Sequence, residues 1–202
     1  MAGRATVVSI LLWAAANAFA QAQKIDVQRS SITVHVERSG FFSFAGDNHE
    51  VRAPLLSGSL NENKDENKNG VELVVDAARM QVLDPKASAE TRAKVQQKML
   101  GPEVLDVARF PRIEFRSRRV TLLNGARAGN PGDAMLRIAG DLTLHGQTHP
   151  VEFEATGGSG HYHSSAKLKQ SDFGIKPITI AGGAVKVKDE VKLDFEIFTA
   201  GP

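Results

Sequence analysis

From residue 24 onward, apolar and polar residues alternate with a period of two in one segment after another. The clearest examples are "SSITVHVER" (30–38), "RIEFRS" (112–117), "RIAGDLTLHG" (137–146), "VEFEA" (151–155) and "EVKLDFEIF" (190–198). Because successive side chains of a β-strand point to opposite faces, each segment has one apolar face and one polar face. Strands of parallel sheets are buried on both faces, so this pattern predicts an antiparallel sheet or barrel.

Turn-forming residues separate these segments. They are Asn69-Gly70, Asn124-Gly125, the "NPG" at 130–132, Gly157-Gly158 and Gly182-Gly183. One segment differs: "SAETRAKVQQKML" lacks a β-branched run, begins at Ser88, a good N-cap, and is followed by Gly101-Pro102. The sequence therefore predicts an all-β fold, an antiparallel β-barrel of about eight strands with one inserted helix over about residues 88–100.

The beginning of the chain has the character of an export signal. Arg4 precedes the apolar stretch "ATVVSILLWAAANAF", and "AFA" at 18–20 has the small residues of a cleavage site. We predict a signal peptide over residues 1–20, a single domain over residues 21–202 and a location in the periplasm; an uncleaved anchor is the alternative. The chain has no cysteine, which excludes disulfides, thiolate metal sites and cysteine nucleophiles.

Charge and nucleophile motifs restrict the function further. The formal net charge is +2 with both signs interspersed, so the chain lacks the basic field of a nucleic-acid-binding protein. It also lacks the G-x-S-x-G motif of many hydrolases. We expect no nucleic-acid partner, and a hydrolase is the weakest alternative.

Two polar motifs each suggest a metal site, and each also has a simpler structural explanation. Asp65, Asn67, Asn69 and Asp76 fall at ligand positions of a calcium loop, but "VELVV" between them reads as a strand, which favours a hairpin tip. "HYH" puts His161 and His163 on one face of a strand as half of a zinc or copper site, or as a solvated strand end. Its third ligand would have to be His49, His145 or His149, and whether His35 binds a metal is left open.

The interior of the predicted barrel has a distinct apolar character. Small residues share its register with Leu, Ile and Phe; they are Gly58, Gly140, Ala155 and Ala166. A barrel of this size is either filled by its own side chains or holds one small ligand. The small residues would keep the interior open, and an apolar interior favours a long hydrocarbon over a charged metabolite.

Three longer segments carry a specific combination of motifs. They are "KMLGPEVLDVARFPRIEFRS" (98–117), "IAGDLTLHGQTHPVEFEA" (138–155) and "KLKQSDFGIKPITIAGGAVKVKDEVKLDFEI" (167–197). The second contains H-G-x-T-x-P and V-x-F, and the third contains S-D-F-G-I and V-x-D-x-V-x-L. Over about residues 24–198, their order and spacing resemble the YceI-like family of bacterial periplasmic lipid- or polyisoprenoid-binding proteins.

This resemblance implies a lipocalin-like barrel whose apolar tunnel takes an isoprenoid chain, with no catalysis. We also expect no cofactor. Carried over by position, the ligand-binding residues of the lumen are Phe110, Ile113, Phe115, Leu142, Leu144, Val151, Phe153, Phe173 and Ile175. The implied function is a periplasmic carrier that sequesters a long apolar lipid, such as a polyisoprenoid (quinone-like) chain. A metal- or haem-associated redox accessory protein using surface histidines is the alternative. Transient membrane contact during lipid exchange, and the choice between monomer and homodimer, are left open.

The segment "GDLTLHGQTHPVEFEA" reads as a hairpin within this barrel. Leu142 and Leu144 enter on the apolar face, residues 146–148 turn, and the chain returns along the same face. We expect His145 on the outward face and His149 at the turn, so that the two histidines do not converge.

Overall fold

The computed structural model describes residues 22–39, 48–61, 69–123, 134–180 and 185–200. Their strands are β1 (Gln23–Lys24), β2 (Ser31–Ser39), β3 (His49–Arg52), β4 (Leu55–Asn61), β5 (Gly70–Asp76), β6 (Gln81–Val82), β7 (Arg112–Leu122), β8 (Ala134–Leu144), β9 (Gln147–Gly158), β10 (His161–Lys169), β11 (Thr179–Ile180) and β12 (Val185–Phe198). Helix α1 spans Ala89–Leu100, and short 3₁₀ helices span Ala77–Arg79 and Gln170–Phe173. The predicted signal peptide and its cleavage site lie outside the described residues.

The strands form one antiparallel sheet that curls into a barrel. Strand β3 pairs with β2 and β6, while β4, which continues from it, pairs with β1 and β5. The Ala53 N–H donates to the Ile32 carbonyl at 2.9 Å and the Asp76 N–H donates to the Pro54 carbonyl at 3.0 Å, so pairing continues through the bend.

The remaining pairings complete the ring. We count β1/β2, β3/β4 and β5/β6 each as one bent strand. From β5/β6 the order continues through β7, β8, β9, β10 and β12. Strand β12 then pairs with β2, which closes the ring. Strand β11 pairs with β12 alongside this ring. Eleven of the twelve described strands therefore make a ring of eight, and the predicted all-β, lipocalin-like barrel with one helix is confirmed.

The alternation seen in the sequence corresponds to the inside and outside of this barrel. Inward residues such as Ile32, Phe115, Ile138 and Ile197 are buried and belong to one continuous apolar cluster. Polar residues at the intervening positions face outward. Burial of the apolar face of every strand is the main stabilising term for such a sheet.

Two of the small inward residues do not open the interior as expected. A Cβ atom added to Gly140 would lie 2.7 Å from the Phe115 ring, and one added to Gly58 would lie 2.7 Å from Cδ1 of Ile25. Large neighbouring side chains already occupy the space above both glycines. The expectation that these glycines keep the lumen open is therefore wrong at these two positions.

Helix α1 begins and ends where its sequence predicts. The Ser88 hydroxyl accepts a hydrogen bond from the Thr91 N–H at 3.1 Å, and Gly101 terminates the helix. None of its residues is fully buried. It therefore lies against the barrel as a peripheral element and is not packed into the core.

The hairpin between β8 and β9 turns one residue earlier than predicted. Strand β8 ends at Leu144 and β9 begins at Gln147, so His145 and Gly146 form the turn. Both have positive φ, 52° and 74°, as a type I′ turn requires. The expectation of a turn over residues 146–148 is wrong: His145 is a turn residue, and His149 lies inside β9, opposite Leu142.

Candidate functional site

One end of the barrel carries both α1 and the 3₁₀ helix Gln170–Phe173, and we call it the helix end. Phe173 is 1% exposed and is the largest fully buried side chain of the described residues. The Nδ1 of His145 lies 3.2 Å from the Phe173 carbonyl; because a carbonyl only accepts, this nitrogen donates. The His149 ring meets the Phe173 ring edge to face, with centroids 5.3 Å apart.

The two histidines of the hairpin therefore converge on Phe173, although not as metal ligands. The predicted separation of the pair is corrected: both side chains hold the S-D-F-G-I segment against the barrel. A third motif joins them, since the N–H and hydroxyl of Ser171 both donate to Asp189. The H-G-x-T-x-P, S-D-F-G-I and V-x-D-x-V-x-L motifs thus meet at the helix end.

The predicted ligand-binding residues fall into three groups. Buried residues of the core are Phe115, Leu144, Phe173 and Ile175. Half-buried residues packed on that core are Ile113, Leu142, Val151 and Phe153. Phe110 lies apart from both groups, with its ring 5.0 Å from the His145 ring, where it covers the outside of the hairpin turn.

An aromatic row crosses the interior between alternate strands. The Phe153 ring lies 5.4 Å from Phe115 and stacks on Phe195 at 5.8 Å with an interplanar angle of 6°. The strands between them carry the small inward residues Gly140 and Ala166, which let the larger rings meet. Phe195 is not among the predicted ligand-binding residues, although the alternation of β12 places it on the inner face.

Several inward side chains near this row keep part of their surface exposed. They are Val34, Leu142, Val151, Phe153, Ala166, Leu193 and Phe195. An inward apolar side chain with accessible surface borders space that its neighbours do not fill. The interior therefore has apolar wall surface that is available to a ligand.

A cavity of about 560 Å³ lies at the helix end beneath α1. Its apolar lining consists of Val36, Val51, Val82, Val95, Met99, Val104, Ile178 and Val187. Its polar lining consists of Arg38, His49, Thr91, Lys94, Lys98 and Gln170. The sequence does not indicate this cavity, because it depends on where α1 lies relative to the barrel.

The Gln96 side chain hydrogen-bonds helix α1 to the sheet beside the cavity, and Met99 and Leu100 pack against the core. The Gln96 Oε1 accepts from the Val82 N–H at 2.8 Å, and its Nε2 donates to the Met80 carbonyl at 2.7 Å. This pair of bonds satisfies the free edge of β6. Val95 and Met99 lie on the side of α1 that faces the cavity.

Near the cavity, a buried carboxylate ties the segment before α1 to β3. Asp84 is 5% exposed; its Oδ2 lies 2.5 Å from Nδ1 of His49, and its Oδ1 accepts from the Glu50 N–H at 2.9 Å. A buried carboxylate with these partners is satisfied and needs no further ligand. We therefore assign the pair a role in positioning the cavity wall.

The metal site considered at His161 and His163 has no third ligand among the described residues. His161 and His163 point outward on either side of buried Tyr162, and His161 is instead paired with Glu196 at 2.6 Å. Within the described ranges, no three His, Cys, Asp or Glu side chains are placed to share a metal ion. His35 is likewise paired with a carboxylate, that of Asp194 at 2.8 Å.

Only part of the predicted calcium loop lies within the described residues. Asp65 and Asn67 lie outside the described residues, whereas Asp76 ends β5 and accepts from the Arg79 N–H at 3.2 Å, capping a 3₁₀ helix. The "VELVV" segment is a strand, as the hairpin reading predicts.

The carboxylates with lowered pKa lie outside the barrel. A hydrogen bond from Lys188 lowers the pKa of Glu37, and the Ser165 hydroxyl lowers the pKa of Asp194. Both pairs join neighbouring strands on the outer surface.

None of the helices in the described part of the chain has the length and apolar character that crossing a membrane requires.

Comparison with known proteins agrees with this architecture. The sequence profile described as the YceI-like domain matches residues 23–198. A UPF0312 protein from Pseudomonas putida is 31% identical over 94 residues, which cover 42% of this chain and 45% of that protein. The chain thus spans less than half the length of the curated relatives that it matches.

Two solved structures share the fold at low sequence identity. Burkholderia cenocepacia BcnA has a TM-score of 0.64 at 17% identity, over 88% of this chain and 99% of that one. A polyisoprenoid binding domain from Saccharophagus degradans, implicated in plant cell wall breakdown, has a TM-score of 0.59 at 15% identity, over 90% and 100%.

Proposed function

The chain belongs to the YceI-like domain family, and we propose that it is a periplasmic carrier that encloses one long apolar lipid, such as a polyisoprenoid chain. The observation that carries this proposal is the largely apolar cavity beneath α1. The partly exposed apolar side chains on the inner wall of the barrel add to it. The Saccharophagus degradans domain, named for polyisoprenoid binding, supports it through its shared fold.

Burial of the chain supplies the binding energy in this proposal. Each enclosed CH₂ group contributes about 0.8 kcal/mol, so several isoprene units bind tightly without a strong polar contact. Val95 and Met99 of α1 would pack on the lipid, and the half-buried residues of the aromatic row would line its deeper path. The role is therefore binding and transport, with no chemical step.

Native mass spectrometry of the protein purified from its host tests this function. We expect an added mass that organic extraction identifies as a lipid with a long hydrocarbon chain. Met99→Lys places a charge against the apolar cavity and should abolish this mass, whereas Gln97→Lys on the exposed side of α1 should keep it. A protein that carries no lipid and takes up no isoprenoid quinone in vitro would contradict the proposal.

The periplasmic location needs its own measurement. Fractionation of the host, followed by N-terminal sequencing of the purified protein, should recover it from the periplasm with Gln21 as its first residue. A chain that keeps residues 1–20 and stays with the membrane would support the uncleaved anchor instead.

A further inference from the structure

A second recess, on the outside of the barrel, has a chemical character opposite to that of the cavity. This groove has a volume of about 940 Å³ and lies between the segment before β2, the bend of β3/β4, the 3₁₀ helix after β5, and α1. Four arginines line it, one from each of these elements: Arg29, Arg52, Arg79 and Arg92. None of the described residues that line the groove is acidic.

The groove arginines are not neutralised by ion pairs. Neither Arg52 nor Arg79 has a carboxylate within ion-pair distance among the described residues. Arg92 is held by backbone carbonyls, including that of Ala87, and the Arg29 guanidinium lies 4.4 Å from the centre of the Phe198 ring. Among the described residues, none of the four guanidinium groups therefore has a carboxylate that compensates its charge.

Several arginines elsewhere on the barrel are paired with carboxylates. On β7 and β8, Arg116 pairs with Glu72 at 3.1 Å and Arg118 pairs with Asp141 at 2.6 Å. Arg137 lies between two glutamates and has a raised pKa because it hydrogen-bonds to one of them. Like charges gathered without counter-charges repel one another, which disfavours the folded state. Four arginines in one concave groove, with no carboxylate partner in the part of the chain that the structure describes, thus indicate a site for an anionic ligand.

The apolar side chains at the floor of the groove limit which anionic ligands can fit it. Beneath the arginines lie apolar side chains, among them Val27, Pro54, Leu55 and Met80. A polyphosphate has no apolar groups to place on them, and a planar bilayer surface does not reach into a concave groove. A peptide that carries both carboxylates and apolar side chains fits the walls and the floor.

We propose that this groove binds an acidic peptide segment of a partner protein. Guanidinium groups form bidentate hydrogen bonds with carboxylates, which gives direction as well as charge. Helix α1 separates the groove from the apolar cavity: Arg92 and Gln96 line the groove, while Val95 and Met99 line the cavity. A partner bound here touches the helix that covers the cavity.

Fluorescence anisotropy with a labelled peptide of alternating Glu and Leu tests the groove on the full chain. We expect binding that weakens between about 20 and 200 mM salt, because exposed charges are screened. A peptide of alternating Gln and Leu should not bind. Arg52→Glu/Arg79→Glu should weaken binding by about tenfold or more.

Arg116→Glu/Arg119→Glu, which makes the same change in net charge on β7, should stay within about twofold of the unchanged protein. If charge reversal prevents folding, Arg52→Gln/Arg79→Gln removes the same positive charges with a smaller perturbation and should still weaken binding.

Three results would overturn the proposal. Equal loss in the β7 variant would show a general charge effect, and an absence of peptide binding would leave the groove without its ligand. Tighter binding of inorganic polyphosphate or of phosphatidylglycerol vesicles than of the peptide would assign the arginines to a different anion. Lipid occupancy of the cavity, measured on the same samples, reports separately on the proposed carrier function.

Discussion

Ser171 donates two hydrogen bonds to the carboxylate of Asp189, one from its N–H at 2.8 Å and one from its hydroxyl at 2.6 Å. The hydroxyl bond is the main reason why the pKa of Asp189 is lowered. These bonds join the S-D-F-G-I motif to the V-x-D-x-V motif, so they fix the 3₁₀ helix that carries Phe173 to the last strand of the barrel.

The first prediction concerns the pH dependence of this contact. The pKa of Asp189 in the folded state lies below the value of about 3.9 for an unfolded aspartate. The contact therefore stabilises the fold above that pH, and its contribution is lost as the pH falls through the folded-state pKa. Ser171→Ala should lower the free energy of unfolding by about 1 kcal/mol at pH 7 and by much less at about pH 2.5.

Urea unfolding at both pH values measures this difference. Asp172→Asn is the control, because Asp172 lies on the same helical turn and its side chain is exposed. A deficit of Ser171→Ala that does not change with pH would show that the hydroxyl acts independently of the Asp189 charge.

A second prediction compares two phenylalanines at the helix end. Phe173 is fully buried, whereas Phe110 is half-buried on the outside of the hairpin turn. Phe173→Ala should lower the free energy of unfolding by about 3 to 5 kcal/mol, because it leaves a cavity in the core. Phe110→Ala should lower it clearly less. If urea unfolding shows the same loss of unfolding free energy in both variants, Phe173 contributes no more to core packing than Phe110 does.

A third prediction concerns the crowding above Gly140. A Cβ atom there would lie 2.5 Å from the Arg116 carbonyl oxygen, and backbone cannot move aside as a flexible side chain can. Gly140→Ala should therefore lower the free energy of unfolding by about 1 to 3 kcal/mol. Gly70→Ala is the matched control in β5, since its Cβ atom meets only the Ser117 hydroxyl at 3.8 Å. Thermal unfolding in which both variants match the unchanged protein would contradict this packing.

The local pattern of the sequence was enough to predict the barrel and its helix. Period-two alternation assigns Ile113 and Phe115 to the inner face, and the structure agrees because that alternation is a property of each strand alone. The N-cap at Ser88 and the stop at Gly101 are equally local, so α1 lies where the sequence predicts it.

Features that depend on distant contacts could not be predicted in this way. His145 adopts a positive φ, which is uncommon for histidine, and its ring is fixed by Phe173, 28 residues away. The space above Gly140 is filled by Phe115 from the neighbouring strand. The position of the His145 ring and the filling above Gly140 both depend on the register between strands. The residue pattern of a single strand does not specify that register.

The cavity and the arginine groove are also products of tertiary placement. Residues of α1 line both the cavity and the groove, so both depend on the position of this helix. Its hydrogen bonds to the sheet come from Gln96. The sequence gives α1 only two apolar residues toward the cavity, Val95 and Met99. This spacing of four residues indicates one helical face, but not the surface that the face covers.

The last prediction follows from this attachment of α1. Gln96→Ala removes both hydrogen bonds to β6, so the amides of α1 should exchange with solvent faster while those of β7 and β12 stay protected. The free energy of global unfolding should fall by only about 1 to 2 kcal/mol. Hydrogen–deuterium exchange followed by mass spectrometry measures both, with Gln97→Ala as the exposed control on the same helix. If α1 covers the lipid, release of a bound isoprenoid quinone should also be faster in Gln96→Ala. Unchanged exchange in α1 would mean that other contacts hold the helix in place.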